Sequence, residues 1–219
     1  MVRISTQNLS QMPEISALKR ILQALSVLDL VFAQDWVRSY RFDAHWSANS
    51  ALGSMNDGSG NHFFCLFTDY GAILKGFDHE SPMSPFRVNP PKIWPGILET
   101  VPKVFDAFLS EPAFVLIETT YCVWRLNNDP QWNRGKSERI DGEIPDGSEF
   151  MLFHLDDNPY TYHSWAERNF ERSISIEAVK KVYAHEPLTQ ALVEQLNPIR
   201  PIESILNEIA EVGYPTPLL

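Results

Sequence analysis

The chain has 219 residues, a formal net charge of −10, 44% hydrophobic residues and 12% aromatic residues. This length and composition predict one folded domain and exclude a disordered chain. The charge is uneven, because residues 1–110 carry nine Lys or Arg against ten Asp or Glu, whereas residues 111–219 carry nine against eighteen. The acidic second half argues against nucleic-acid binding, which requires a basic surface, and suits a basic protein partner.

Two features predict the compartment. Residues 1–14 lack the apolar core of a signal peptide, and the longest apolar run, 21–33, contains polar residues and is too short to span a bilayer. Cys65 and Cys122 both lie in apolar, strand-like runs, which is typical of buried free thiols in a reducing compartment. We therefore expect a cytoplasmic protein that makes no membrane contact.

The N-terminal third predicts a helix followed by a strand. Leucine and isoleucine residues at helical spacing predict an amphipathic helix over 13–33. The pattern then changes to a period of two over 36–46, which predicts a half-buried strand with Trp36 and Trp46 on its apolar face. Residues 47–54 are expected to form a helical turn that leads into a loop.

The strongest β signal is a hairpin. The runs 62–68 and 72–77 are apolar and aromatic, and Asp69-Tyr70-Gly71 separates them. A turn centred on Tyr70 would place His62 opposite Asp78, and a turn centred between Tyr70 and Gly71 would place it opposite His79. Since neither run alternates cleanly, both faces of this strand pair are expected to be covered.

The open end of this hairpin collects the densest group of polar candidates in the chain. These are Asp57, Asn61, His62, Asp78, His79 and Glu80. The residues His62, Asp78, His79 and Glu80 are candidates for acid–base catalysis or for a divalent metal site, with Asp57 assisting. The alternative is a polar network, in which Asp57 and Asn61 bind loop amides and the other residues cap the next turn. The chain contains no HExxH motif, phosphate loop or dinucleotide glycine pattern.

The middle of the chain is less regular. Prolines at 82–95 predict an irregular crossing, after which apolar spacing predicts a helix over 94–109 that is divided at Pro102. Residues 113–126 predict one long strand or two short ones. The polar segment 127–149 is unusually long for a loop in a compact domain. Its Trp132 and Arg134 are candidate contact residues for a partner, although Trp132 could equally tuck back onto the sheet.

The C-terminal part predicts helices near 160–170, 176–184, 188–196 and 202–212. Residues 150–155 predict either a strand or a first helical turn. The aromatic side chains Trp124, Tyr160, Tyr162 and Trp165 raise the alternative of a small-ligand sensor, although core packing is the commoner role for such residues.

The segments 60–81, 119–125 and 182–198 carry a resemblance to a known group. GNHFFCLFTDYGAILKGFDHES, TTYCVWR and VYAHEPLTQALVEQLNP are similar to uncharacterised bacterial proteins of the immunity-protein type, which belong to toxin–immunity systems. The resemblance implies no particular activity and no catalytic residue.

Together these observations predict an α+β domain over 1–219, with a mostly antiparallel sheet of about four to six strands. An α+β core over 13–155 would carry the N-terminal helix, and a helical extension over 156–219 would pack on it. The expected function is a non-enzymatic, cytoplasmic, immunity-type protein that binds a basic partner. The alternatives are a divalent-metal-binding protein or hydrolase at the mouth of the 62–80 hairpin, and a small-ligand sensor.

Overall fold

The computed structural model describes residues 4–137 and 145–217. Within these ranges the strands are β1 (Tyr40–Ser47), β2 (Ser50–Asn56), β3 (His62–Thr68), β4 (Gly71–Phe77), β5 (Tyr121–Leu126) and β6 (Asn133–Arg134). They form one antiparallel sheet in which the spatial order is the chain order. Helices precede and follow the sheet, so the predicted α+β class is confirmed.

The predicted N-terminal helix is present as α1 (Ile15–Phe32) and covers one face of the sheet. Its residues Leu18, Leu22 and Leu25 share one side of the helix and are fully buried in the larger of two cores. Gly53 of β2 allows the close approach, because a Cβ there would lie 2.7 Å from Cδ1 of Leu22. Each fully buried leucine contributes about 1.5–3 kcal/mol, so α1 anchors this side of the sheet.

The predicted hairpin is present, but both predicted registers are wrong. β3 and β4 are joined by the two residues Asp69 and Tyr70, so His62 pairs with Phe77 rather than with Asp78 or His79. Gly71 already belongs to β4, and a Cβ there would lie 2.1 Å from the carbonyl oxygen of Arg125. Because β5 lies so close, only glycine fits at this position, and pairing resumes one residue earlier than expected.

The strand before the hairpin also differs from its prediction. Trp36 lies in a 3-10 turn and is 80% exposed, so it does not belong to the buried face of β1. Residues 47–54, expected to be a helical turn, supply most of β2. Ser50, Ala51 and Gly53 have low intrinsic preference for strands, and pairing with β1 and β3 on both sides overrides that preference.

The C-terminal helices are present where helical spacing predicted them. They are α4 (Pro159–Asn169), α5 (Ile176–Tyr183), α6 (Gln190–Leu196) and α7 (Leu206–Val212), after the shorter α2 (Asp106–Ser110) and α3 (Ser148–Met151). Side chains of Asn158, Ser175 and Thr189 cap the first turns of α4, α5 and α6. Gly213 ends α7 in the left-handed conformation. These helices share the larger core with α1.

The second face of the sheet is covered mainly by irregular chain. Ile73 and Trp124 project from the sheet into a smaller core, where they meet Phe105, Phe108 and Phe114. The helix predicted over 94–109 is reduced to a 3-10 turn followed by α2, and the strand predicted over 113–126 is reduced to β5. Tertiary packing of bulky aromatics therefore replaces regular structure on this face, and both faces of β3 and β4 are covered as predicted.

Two predictions about compartment can be compared with the fold. Cys65 and Cys122 are both buried and free, one in each core, as expected. None of the helices in the described ranges combines the length and the apolar character needed to cross a bilayer.

Candidate functional site

The open end of the hairpin is closed by a hydrogen-bonded network. The Asp57 carboxylate accepts the backbone N–H groups of Ser59 and Asn61, at 2.8 and 3.1 Å, and the Asn61 side-chain amide at 2.8 Å. Oδ1 of Asn61 accepts the backbone N–H of His79 and lies 2.8 Å from its Nδ1. Burial raises the pKa of Asp57, but these hydrogen bonds outweigh it and hold the pKa below its ordinary value. Asp57 and Asn61 therefore order the loop.

The other candidates at this end have separate partners. Oδ1 of Asp78 accepts the backbone N–H groups of Glu80 and Ser81, at 2.9 and 3.2 Å. Nε2 of His62 lies 3.5 Å from Oε2 of Glu118, and burial lowers the pKa of this histidine. In the described part of the chain, no group of three or more His, Cys, Asp or Glu side chains is placed to hold a metal ion. The described residues at the hairpin mouth thus form a hydrogen-bonded polar network.

Trp132 and Arg134 lie at the start of the long polar segment. Trp132 is 1% exposed, and its indole N–H donates to the carbonyl oxygen of Pro13 at 2.7 Å. Trp132 is therefore buried, and its interpretation as an exposed contact residue is wrong. Arg134 is half-buried in β6, where it pairs with Val123. Residues 138–144 of this segment lie outside the described residues.

The four aromatic residues of the sensor hypothesis do not share a pocket. Trp124 lies in the smaller core, whereas Tyr162 is fully buried in the larger core. Tyr160 is 53% exposed, with Nζ of Lys180 4.9 Å from its ring centre. Of the four, only Trp165 lines the cavity found at the end of the sheet where the hairpin opens.

That cavity has a volume of about 610 Å³ and lies where β1 begins and β2 and β4 end. The sheet end contributes Ser39, Tyr40, Met55, Asp57 and Asp78 to its lining. The facing wall is formed by the 145–155 segment and α4, which contribute Asp146, Glu149, Phe150, Phe153, His154, Trp165 and Arg168. Volumes of 300–1,000 Å³ are usual for ligand pockets.

A buried polar network lies beneath the cavity. The Tyr40 hydroxyl lies 2.7 Å from Nδ1 of His154. The Asp29 carboxylate accepts the backbone N–H of Tyr40 at 2.8 Å and the hydroxyl of Tyr162 at 2.9 Å. Nε2 of His154 is buried without a hydrogen-bond partner among the described residues. Buried polar atoms are normally paired, so this nitrogen is an exception within the described part of the chain.

Burial moves the pKa values of the carboxyl and imidazole groups in this network in opposite directions. Burial raises the pKa of Asp29 to about 6, although its hydrogen bonds to Tyr40 and Tyr162 act against the shift. Burial, followed by the positive charge of Arg168, lowers the pKa of His154 to about 4. The imidazole is therefore neutral at physiological pH, and it adds no positive charge to the cavity.

The wall of the cavity is fastened to the N-terminal segment by a polar contact and sits against the end of β4. Thr6 donates its hydroxyl to Asp146, and the backbone N–H of Ser148 donates to the same carboxylate at 3.0 Å. A Cβ at Gly147 would lie 2.2 Å from Cβ of Asp78. Only glycine therefore allows this segment to sit against the end of β4, and the wall is held in place on the sheet side.

The cavity is acidic and partly apolar. Asp57 and Asp78 line it at the sheet end and Asp146 and Glu149 at the facing wall, and among the described residues Arg168 is the one lysine or arginine in the lining. Met55, Phe150, Phe153 and Trp165 supply apolar area beside these charges. Such a site can attract a cation and bury the apolar part of the group that carries it.

Three of these lining residues, Asp57, Asp78 and Trp165, are among the candidates identified from sequence. His154, Glu149, Phe150 and Arg168 were missed. The Asp146-Gly147 pair is a turn signal that could have indicated a bend at this position. A lone histidine and a lone helical arginine carry no local pattern, so no sequence signal identifies His154 or Arg168.

Comparisons of the chain with protein-family models, with curated proteins and with solved structures found no significant match.

Proposed function

We propose that this protein is a non-enzymatic, immunity-type binding protein that holds a basic protein partner, with the cavity at the end of the sheet as its contact site. One observation carries the proposal: among the described residues, four carboxylates and a single arginine line a cavity of about 610 Å³ whose remaining surface is largely apolar and aromatic. A basic side chain presents the complementary charge on an apolar stem.

Large exposed aromatic side chains near the cavity support a protein partner. Phe150, in the cavity lining, is 67% exposed. Trp36, 80% exposed, precedes the lining residue Ser39 by three positions, and Phe86, 52% exposed, contacts Phe77 beside the lining residue Asp78. Exposed aromatics around a desolvated pocket are typical of protein interfaces, where they act as anchors.

The charge of the whole chain favours the same partner. The chain has a formal net charge of −10, concentrated in the second half. This charge accelerates the encounter with a basic protein, and the acceleration becomes smaller as salt is added. On this proposal the protein acts in the cytoplasm, where a reducing environment keeps Cys65 and Cys122 as free thiols.

The test is the binding of charged peptides of defined sequence. Calorimetry with hexaarginine, hexalysine and hexaglutamate at low and high salt should show binding of one or both cationic peptides, loss of that binding at high salt, and no binding of hexaglutamate. Failure of both cationic peptides at low salt would overturn the proposal.

A charge-neutral variant locates the site. Asp78→Asn keeps the oxygen that accepts the N–H groups of Glu80 and Ser81 and removes the charge. Asp69→Asn makes the same charge change at the opposite end of the sheet, in the hairpin turn. We expect Asp78→Asn to weaken cationic-peptide binding by up to about fivefold, since a partly exposed charge pair is worth up to about 1 kcal/mol. Asp69→Asn should have little effect, and equal effects would place the site elsewhere.

The cavity volume favours a second candidate, a small organic cation as the ligand, because about 610 Å³ lies within the usual range for small-molecule sites. Agmatine, which carries a guanidinium and an amine on a short apolar chain, is a suitable probe. A rise in melting temperature with agmatine but no binding of either cationic peptide would favour this candidate.

A further inference from the structure

We propose that the group which enters the cavity is the guanidinium of an arginine side chain, stacked on the aromatic wall and paired with the carboxylates at the sheet end. This inference rests on the proposed function, because it names the anchor that a basic partner inserts. Equal binding of arginine and lysine peptides would overturn the anchor alone, whereas failure of both would overturn the function.

The aromatic wall is the first reason for arginine. Trp165 is half-buried, with its ring centre 5.0 Å from that of His154 in an edge-on arrangement, and it lines the cavity together with Phe153 and Phe150. A guanidinium is planar and weakly hydrated and stacks on such faces, whereas the ammonium of lysine is compact and strongly hydrated. A cavity with so much aromatic lining therefore favours a guanidinium.

The carboxylates at the sheet end are the second reason. Oδ1 of Asp78 is held by the backbone N–H groups of Glu80 and Ser81, while Oδ2 has no hydrogen-bond partner in the described part of the chain. Asp57 is oriented by three hydrogen bonds from Ser59 and Asn61. Carboxylates fixed in this way suit the rigid five-donor fork of a guanidinium, whose hydrogen bonds to carboxylates are directional.

Nε2 of His154 is buried and has no hydrogen-bond partner among the described residues. In the tautomer whose Nδ1 donates to the Tyr40 hydroxyl, Nε2 is an acceptor that lacks a donor. Arginine supplies only donors, which match both an accepting nitrogen and the carboxylates. The positive charge of Arg168 lies on the α4 side of the cavity, so a second cation is directed towards Asp57 and Asp78.

The experiment compares hexaarginine with hexalysine, which carry equal charge, by calorimetry on the full chain. The expected result is binding of hexaarginine about tenfold tighter than hexalysine, the size of a partly desolvated stacking preference. A ratio near one, with both peptides bound, would overturn the arginine anchor. Asp78→Asn should reduce the ratio of the two affinities, because it removes the carboxylate that pairs with the guanidinium. Asp69→Asn should leave this ratio unchanged.

Paired variants at Trp165 separate stacking from a loss of folding. Trp165→Phe retains an aromatic face, and Trp165→Leu removes it, while each shortens the side chain. We expect Trp165→Phe to keep most of the preference for hexaarginine and Trp165→Leu to bring the ratio close to one. Reduced folding lowers the apparent affinity for both peptides alike and leaves the ratio unchanged. An undiminished ratio in Trp165→Leu would therefore show that this ring does not stack on the anchor.

Discussion

The hydroxyl of Tyr40 lies 2.7 Å from Nδ1 of His154, and the backbone N–H of the same tyrosine donates to the buried carboxylate of Asp29. One residue at the start of β1 therefore joins α1 to the segment that walls the cavity. Because both partners are buried, these contacts form in a region where an unpaired polar group is costly. The stability of the fold and the shape of the candidate site depend on the same side chain.

Removing the Tyr40 hydroxyl should destabilise the protein. Tyr40→Phe leaves Nδ1 of His154 unpaired in addition to Nε2, and an unsatisfied buried polar group costs about 1–3 kcal/mol. Urea denaturation should show the free energy of unfolding reduced by this amount. Tyr70→Phe is the matched control, because Tyr70 is 63% exposed in the hairpin turn, and it should change stability little. Equal effects of the two variants would contradict a buried role for the Tyr40 hydroxyl.

Asp29 and His154 should make opposite contributions to the pH dependence of stability. Burial raises the folded-state pKa of Asp29 from 3.8 to about 6, so its contribution is present below pH 3.8 and is lost as the pH rises through about 6. Burial lowers the folded-state pKa of His154 from 6.5 to about 4, so its contribution is present above pH 6.5 and is lost as the pH falls through about 4. The two contributions largely cancel between about pH 4 and 6.

Single variants should expose each contribution. Asp29→Asn removes the acid-side contribution, so the free energy of unfolding should rise by about 3 kcal/mol more than in the wild type between pH 4 and 6, at about 1.36 kcal/mol per pKa unit. His154→Asn keeps a polar atom near Tyr40. This variant should lower the slope of the unfolding free energy against pH, which is opposite to the effect of Asp29→Asn. Urea denaturation at several pH values measures both. Profiles parallel to that of the wild type would contradict the assigned pKa shifts.

Lys75 is a buried cation on β4, and it should govern stability at alkaline pH. It is 1% exposed, its Nζ donates to the carbonyl oxygen of Glu118 at 2.6 Å, and burial lowers its pKa from 10.5 to about 8. The unfolded chain therefore binds the additional proton between about pH 8 and 10.5, and this group makes stability rise with pH in that range. The difference in unfolding free energy between wild type and Lys75→Met should change by a few kcal/mol over this range. A constant difference would contradict the shift.

Trp132 should matter for stability and not for binding. Trp132→Phe removes the indole N–H that donates to Pro13 and leaves space in the core, so the free energy of unfolding should fall by about 1–3 kcal/mol. Affinity for the cationic peptides should be unchanged under conditions where the variant is folded. Unchanged stability together with lost binding would restore Trp132 as a contact residue.

Apolar periodicity predicted α1 and the helices α4 to α7. The side chains of Asn158, Ser175 and Thr189 cap the starts of α4, α5 and α6, as such residues commonly do. These signals are local, since each depends on residues within one or two turns. The loop order imposed by Asp57 and Asn61 was predictable for the same reason, because both residues bond within five positions of each other.

Strand pairing was harder to predict. β2 contains small residues and becomes a strand because β1 and β3 pair with it on both sides. The hairpin register depends on Gly71, where the backbone of β5, some fifty residues later in the chain, leaves no room for a side chain. Neither effect is visible in the local sequence, because both depend on which distant segment packs alongside.

The sequence by itself determined the acidic character of the chain, the positions of its main helices, the presence of the hairpin and the ordered loop at its mouth. Only the tertiary structure decided that Asp57 and Asp78 share a cavity with His154 and Arg168, and that His62 and His79 do not. The physical reason is that helices and turns are set by neighbours in the chain, whereas a cavity is set by the packing of segments about ninety positions apart. That packing depends on close contacts such as the one between Gly147 and Asp78, which no local sequence pattern predicts.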